Sequence, residues 1–593
     1  MREPVPGETG IPFSRRLVWV YALIGIPPLV LIWLGYRYTV NVPWYDDVES
    51  FTGFLLEYLN ASTWTDKLSV VLRPVNEYRI VFARLLTLLT YLATGTLDFR
   101  ILIAGGLLCL IGTWALFVWV FVRNRVPLLY LIPLSLLIFQ PQFYLTTFWA
   151  ITGLQHQPVV FFCFLSLYLL AGRNLRYNLM PALLLAIVAT FTNGNGMFIW
   201  FAGLGILLLQ VRFSAAIAWI LTGILSMAAY FTGFTTQGNE SGPIYAYSHP
   251  LETLLAFFTF IGGLFDFMPY SPLRPRVVLP IIAGFFITTW LLFWFSSLLL
   301  RPANTPLVLN WRIVRERLSL INTTEMFLVG CMLYLLTTAV IIAVFRLRFG
   351  FPVMLISNYK IYPTLFLVLA YSMYVFSPLR RKARPGRQMA IILGASGLIS
   401  VLSYWQYTPL VIERRKIILS MMVNQVHNGF GLSTLPGTPF AGFVAGIMDQ
   451  SVARKLYTYP QDSFTTQLSS ALAQPTARQQ IPVEISYDPE YFVVKNDTVS
   501  FPKAVAWSRD AGLFVRVYSP SLNLLFKAEP NPNLGLAGFS WYERGFGVGI
   551  PRPMLFGADS CSVQLVRVND GIMTTYQATQ KIKPDTAIPG AGK

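Results

Sequence analysis

Asp46 and Asp47 are the residues best placed for acid–base chemistry in this sequence, within the stretch NVPWYDDVES. Adjacent carboxylates repel each other and raise each other's pKa unless a cation, a metal or a substrate proton relieves them. The pair follows the first apolar segment directly, with Trp44 and Tyr45 before it and Glu49 after it. That setting suits a general base, or a divalent metal ligand, facing a lipid-borne substrate. A solvated acidic loop that only helps set topology has the same composition.

The loop continues as RPVNEYRIVFARL. Arg73 and Glu77 are four apart and are expected to pair on one helix face. Asn76, Glu77 and Arg79 open an amphipathic stretch, where they either anchor it among headgroups or bind a phosphate or sugar hydroxyl. Arginine gives bidentate phosphate contacts. A second cationic segment, FRLRFGFPVMLISNYKIYP, contributes Arg346, Arg348 and Lys360 beside Tyr359. In FWAITGLQHQPVV, Trp149, Gln155 and His156 precede an apolar run, and the lone His reads first as a hydrogen-bonded structural residue. FTNGNGM, containing Asn193 to Gly196, reads as a tight hairpin. The absence of GxxxxGK[ST], HExxH and paired CxxC argues against an ATPase, a zincin and a thiol oxidoreductase.

These residues are carried by a chain built for lipid. Of 593 residues, 55% are hydrophobic and 12% charged, and mean hydropathy is +0.55. Soluble domains run near about 25% charged. The excess of 45 Lys+Arg over 27 Asp+Glu lies in short clusters between apolar segments, as in the loops of membrane proteins, so nucleic acid is not an expected partner. Spans of about 20 apolar residues are expected at 17–36, 99–122, 127–146, 158–172, 179–193, 196–211, 214–233, 277–300, 326–345, 361–377 and 389–405. The first has no small-residue cleavage site and reads as a retained helix.

The stretches 80–94 and 252–268 decide the orientation. Counted as spans, they put Arg123/Arg125 and Arg312 to Arg317 on opposite sides of the membrane. Read as interfacial helices, they bring every basic cluster to one side: Arg15/Arg16, Arg123/Arg125, Arg173/Arg176, Arg212, Arg301 to Arg317 and Arg380 to Arg387. The positive-inside rule then favours eleven spans, with the N-terminus inside and the C-terminus outside. Arg79 and Arg84 flank 80–94, which suits a helix lying flat with its polar side to water. In that orientation Arg346, Arg348 and Lys360 are cations on the outer side and ask for a partner, such as a lipid phosphate.

Beyond residue 405 hydropathy falls. Helical patterning over 411–460 gives way from about 482 to short β-type runs, VEISY, YFVV, LFVRVY, NLLFKA and VQLVRV, separated by Pro, Asn, Gly and Asp turns. The expectation is an all-α polytopic membrane domain over 1–405, with a first outer loop at 41–98, and a small α+β, β-rich extracytoplasmic domain over 406–593. Cys109, Cys163 and Cys331 sit in apolar stretches and Cys561 stands alone, so no disulfide framework is expected.

A first span followed at once by an acidic pair, a long first outer loop with an interfacial helix, many spans and a C-terminal outer domain together resemble the GT-C superfamily of membrane glycosyltransferases. Protein O-mannosyltransferases, oligosaccharyltransferases and aminoarabinose transferases are members. The resemblance covers the layout of about residues 15–405 and implies a polyprenyl-phosphate-linked sugar donor. It implies that Asp46 or Asp47 is the base. It further implies that NEYRIVFARLLTLLTYLATGTLDFR leads through a juxtamembrane helix into span two, with Arg100 opening that span. RLRFGFPVMLISNYK resembles a late outer-loop segment that approaches the donor phosphate, although Asn358-Tyr359-Lys360 stands where an Arg-Tyr pair is expected.

The resemblance therefore implies an inverting transfer at the outer face of a bacterial cytoplasmic (inner) membrane, facing the periplasm, in polysaccharide or cell-envelope biosynthesis. Asp46 or Asp47 is the expected base, Arg346, Arg348, Tyr359 and Lys360 the donor-phosphate ligands, and Tyr45, Asn76, Glu77, Arg79 and His156 the substrate-binding residues. The acceptor is a glycan, a lipid or a protein. No cofactor is required by this chemistry, and a divalent ion on Asp46 and Asp47 is the one metal it suggests. The rival readings are a lipid-linked-sugar flippase or transporter, and an O-antigen-type polymerase or ligase.

Overall fold

A computed structural model describes residues 15–584 except 76–77, 235–240, 301–317, 379–384, 433, 500–507, 534–540, 556, 559 and 570. Asn76, Glu77 and the clusters Arg301 to Arg317 and Arg380 to Arg384 thus lie outside the described residues. The chain is mostly helical up to residue 471 and β-rich after 480.

Eight described segments are long and apolar enough to cross a membrane: Leu17–Tyr38, Phe99–Arg123, Leu128–Phe148, Ala150–Ala171, Phe213–Phe231, Leu273–Leu299, Thr323–Phe349 and Gly386–Asn428. The helices that bear on the site are α1 (Arg15–Tyr38), α2 (Val81–Thr94), α3 (Phe99–Arg123) and α4 (Ala150–Ala171). After them come α5 (Leu175–Thr190), α6 (Phe198–Leu209), α7 (Phe213–Phe231), α8 (Leu273–Leu299), α9 (Thr323–Arg346), α10 (Ile361–Phe376) and α11 (Pro385–Asn428). The expected spans at 179–193, 196–211 and 361–377 do form helices, but α5 and α10 have 16 residues each and α6 has 12.

Residues 127–146 do not form one continuous helix. A helix over Ile132–Ile138 is interrupted near Pro141, and a short turn at Pro141–Phe143 leads into Tyr144–Phe148. Backbone freed inside lipid must be satisfied by protein. Here the side chain of Gln140 accepts from Gln142 N at 2.7 Å, and Gln142 Nε2 donates to Leu264 O and Ser403 Oγ, each at 2.8 Å.

The helix α4 starts at Ala150, eight residues before the expected span at 158–172. Its polar first turns, TGLQHQ, are buried against protein, so hydropathy alone excluded them. Gln155 and His156 therefore lie within a helix and not ahead of one.

Helix α2 reverses its expected orientation. Its buried face is the polar one, Arg84, Thr87 and Thr90, while Leu85, Leu89 and Leu92 are exposed at helical spacing. Arg84 donates to the carbonyls of Val71 and Arg73, so its charge serves the preceding loop and not solvent. The expected Arg73–Glu77 pair involves a residue outside the described ones; Arg73 itself follows the end of the helix Trp64–Leu72 and pairs with Glu57.

Helix α11 has 44 residues, about 66 Å at the usual rise, and runs unbroken through residue 405. Its first part is apolar and its second amphipathic, with Ile418, Leu419, Met422 and Val423 buried. That second part packs on the β-rich region. Strands β1 (Gln480–Ile481), β4 (Gly512–Ser519), β5 (Leu522–Lys527), β8 (Cys561–Asn569) and β9 (Ile572–Ile582) form one sheet in the order β1-β9-β8-β4-β5. A second sheet, β2-β3-β7-β6, holds β2 (Glu484–Tyr487), β3 (Tyr491–Asn496), β6 (Glu529–Pro532) and β7 (Tyr542–Pro551).

Side chains alternate across a strand, and β4 is covered on both faces. Leu513, Val515 and Val517 pack with Phe492, Val494, Phe546 and Val548 of the other sheet. Phe514 joins Leu419, Met422, Phe464 and Leu468 on the helical side. A buried set of charges strengthens this junction: Glu413 of α11 pairs with Lys416 at 2.9 Å and with Lys527 of β5 at 2.5 Å.

Candidate active site

A cavity of about 650 Å³ lies where the ends of α4, α7 and α9 meet the first loop and the start of α10. Its lining includes Asp46, Tyr78, His156, Asn195, Arg346 and Tyr359. Four residues expected in a site from sequence, Asp46, His156, Arg346 and Tyr359, are therefore brought to one space. In the chain they are separated by as much as three hundred positions.

The first loop is held by its other acid. Asp47 is buried, and its carboxylate accepts from Trp44 N at 3.1 Å and from Ile151 N at 3.0 Å. Ile151 lies in the first turn of α4, whose own N-cap residue, Trp149, makes no side-chain cap bond. Asp47 thus supplies from a distant segment the acceptor that a helix N-terminus normally takes from its neighbour. Trp149 completes the clasp: its Nε1 donates to Trp44 O at 3.0 Å, and its ring packs 4.5 Å from that of Trp44. The guanidinium of Arg414 covers Trp44 at 4.6 Å and donates to Phe148 O at 2.8 Å. Burial pushes the Asp47 pKa up to about 8, against the pull of both backbone N–H groups and Arg414.

One residue earlier the geometry differs. Tyr45 adopts a positive φ of 50°, and Asp47 enters a helical turn, in which successive side chains point about 100° apart. Asp46 is left open at the cavity, where desolvation raises its pKa. The two acids therefore do not share one opening as a ligand pair, and the described residues contain no group of three His, Cys, Asp or Glu placed for a metal. Tyr45 itself is exposed, packs on the rings of Trp44 and Trp149, and does not line the cavity.

The floor is polar. His156 Nδ1 lies 2.9 Å from Tyr362 Oη and 3.5 Å from Asn193 Nδ2. Asn195 donates to Tyr362 Oη at 2.6 Å and to Tyr334 Oη at 3.0 Å. Asn195 Oδ1 and Asn358 Oδ1 have no hydrogen-bond partner. Buried amides left in this state suit a ligand with several hydroxyl groups. The lining also holds apolar side chains, among them Phe231, Phe234, Ile341 and Phe345. Tyr78 stands between the charged groups: burial and then the Asp46 charge raise its pKa, and Arg346 pulls it down.

The remaining expected site residues have other tasks. Lys360 is buried and donates to Asp266 Oδ2 at 2.6 Å and to Tyr407 Oη; Asp266 also takes two bonds from Arg276, at 2.9 and 2.6 Å. An ammonium enclosed this way closes the α8–α10–α11 junction and does not line the cavity. Arg348 bonds Ser241 and stacks on Phe349 at 4.6 Å, outside the lining. Arg79 donates to Tyr230 O at 2.7 Å and to the carbonyls of Leu72 and Thr232, which ties the first loop to the end of α7. Arg100 pairs with Asp98 at 2.6 Å as it opens α3.

Sequence reasoning passed over Tyr78, Asn193, Asn195, Asn358 and Tyr362 as lining residues. The FTNGNGM turn does form, at Gly194–Met197, and it faces the cavity. The signal available was two amides in a turn between apolar helices, of which only Asn193 has a local task, accepting from Gly194 N at 2.9 Å.

The cavity and the basic loops that hold Arg123, Arg173 and Arg212 occupy opposite ends of the bundle. At the far end Asn124 bonds Thr324 at 2.9 Å, Arg123 bonds Tyr168 at 2.8 Å, and Arg212 bonds the carbonyls of Gly172 and Arg173 at 3.1 and 3.0 Å. Comparisons with protein families, with curated proteins and with solved structures returned no match.

Proposed function

We propose that this chain is a membrane glycosyltransferase of the GT-C kind, moving a sugar from a polyprenyl-phosphate donor to a glycan, lipid or protein acceptor. The observation that carries the reading is the convergence of Asp46 and Arg346 on one cavity at the helix ends. That cavity is lined both by unpartnered amides and by apolar side chains. A sugar fits the first and a polyprenyl chain the second.

The transfer balances with the residues present. Asp46 accepts the proton of the acceptor hydroxyl as its oxygen attacks the anomeric carbon. The bond from that carbon to the phosphate oxygen breaks with inversion, and the phosphate leaves with the electron pair. Arg346 stabilises the charge that grows on it. Tyr359 and Tyr78 flank the phosphate, and His156, Asn195 and Gln155 orient the sugar. Asp47 and Arg79 act as positioning residues that hold the loop bearing Asp46.

Eleven crossings accompany this reading, made of the eight long apolar segments and the shorter α5, α6 and α10. The basic loops face the cytoplasm, and the cavity and C-terminal β region face outward. The membrane is then a bacterial inner membrane and the cavity opens to the periplasm.

Purified protein in detergent, given radiolabelled polyprenyl-phosphate sugars and a panel of acceptors, tests the proposal. Transfer that disappears in Asp46→Asn and weakens in Arg346→Ala supports it. Unchanged transfer in Asp46→Asn removes the base, and movement of the lipid-linked sugar across vesicles without transfer puts the flippase reading first.

A further inference from the structure

A second cavity, of about 750 Å³, opens at the opposite end of the bundle, where α3 ends, α4 turns into α5 and α9 begins. Its wall carries Arg123 and Arg173 from separate elements, with Asn124, Asn174, Asn178 and Thr324 among the neutral lining. Among the described residues no carboxylate lines it. Glu325 stands next in sequence, but its side chain is engaged in a capping box with Asn322.

One of the two cations is set in place. Arg123 donates to Tyr168 Oη at 2.8 Å, and Trp119 Nε1 fixes the same oxygen at 2.8 Å. Arg212 grips the carbonyls of Gly172 and Arg173 and adds a third guanidinium beside the rim. Helix α5, with 16 residues, begins at the bowl, and its N-cap residue Asn174 makes no side-chain cap bond. Arginines, amides and a helix N-terminus around a space without acids make a site for a phosphate-type anion.

The surface below the bowl says what carries the anion. Along α5, Tyr177, Met180, Leu184 and Val188 are exposed at 75%, 64%, 56% and 39%. They follow one another at helical spacing from the turn that holds Asn174 and Asn178. The stripe is about 16 Å long, close to the hydrocarbon depth of one leaflet, roughly 15 Å. A soluble phosphate has no use for such a stripe, and acyl chains do.

We infer that this bowl and stripe form a binding site for an anionic glycerophospholipid, with the headgroup phosphate between Arg123 and Arg173 and the chains along α5. The site is separate from the Asp46 cavity and does not depend on the transferase reading. A bound lipid here joins the ends of α3, α4, α5 and α9.

Thermal unfolding of the full chain in detergent, titrated with short-chain phosphatidylglycerol, tests it. Phosphatidylglycerol is expected to raise Tm where phosphatidylcholine of the same chain length does not. The Arg123→Gln/Arg173→Gln variant should need roughly tenfold more of it, or beyond, for the same shift. Arg387→Gln, which removes a cation outside the bowl, should respond as the unaltered protein does. If the double variant fails to fold, Arg173→Gln alone keeps the comparison, since its side chain is exposed. Equal shifts with phosphatidylcholine, or an undiminished response in the variants, overturn the site. An equal shift with inorganic phosphate or glycerol phosphate at matched concentration overturns the lipid and leaves a soluble phosphate.

Discussion

Asp47 Oδ1 accepts a 3.0 Å hydrogen bond from the backbone N–H of Ile151, one hundred and four positions later in the chain. The bond joins the first loop to the first turn of α4, which carries Gln155 and His156 into the cavity. One carboxylate thereby fixes the distance between the neighbouring acid, Asp46, and the polar floor it faces.

Substitution should separate the two acids cleanly. Asp46→Asn is expected to lower sugar transfer by about 10²- to 10⁴-fold, the usual weight of a general base, while Tm stays near that of the unaltered protein. Asp47→Asn should lower Tm, because one of two buried N–H groups loses a good acceptor, a loss of about 1–3 kcal/mol. Equal Tm for Asp47→Asn and the parent would refute the capping role.

The pH dependence of stability carries the signature of Asp47. Its folded pKa, about 8, lies above the usual carboxylate value of 3.8. Between those values the folded state holds a proton that the unfolded chain has released, so this group's contribution falls as pH rises from about 4 to 8. Urea unfolding across that window should show a decline in the parent that is smaller in Asp47→Asn. For Asp46 the same direction of shift predicts an acidic limb of the transfer rate with its midpoint above the ordinary carboxylate range.

Lys360 and Arg346 should fail in different ways. Lys360→Met removes one of two cations from buried Asp266, which keeps Arg276 and the Tyr407 hydroxyl, so the loss should be about 1–3 kcal/mol. The expected readout is a lower Tm or poor expression. Arg346→Ala should keep Tm and raise the donor KM by roughly 10- to 100-fold, the weight of a charge-assisted hydrogen bond. A raised donor KM in Lys360→Met at unchanged Tm would return Lys360 to the phosphate.

Gly196 tests the turn that presents Asn193 and Asn195. A Cβ at this position would lie 1.9 Å from the backbone oxygen of Ala189. Gly196→Ala should therefore shift the turn and cost about 1–3 kcal/mol. Transfer should fall even where the protein still folds, because both amides move. Gly547→Ala, where an added Cβ meets nothing within 4 Å, is the matched control.

The sequence alone determined the membrane class, the helices, the β-rich end and the residues around which a site was sought. Hydropathy and period are local properties, so long apolar runs and alternating strands could be read directly from them. Tertiary structure decided the rest. Packing against the start of α4 makes one of two adjacent acids a buried cap and leaves the other at the cavity, a choice that composition leaves even. Lys360 was drawn to Asp266, ninety-four positions away, because a buried ammonium needs a counter-ion more than the outer surface needs a cation. The polar start of α4 was hidden from hydropathy because it faces protein and not lipid. The partners that assign each polar side chain its task are brought near only when the helices pack, and no local pattern records them.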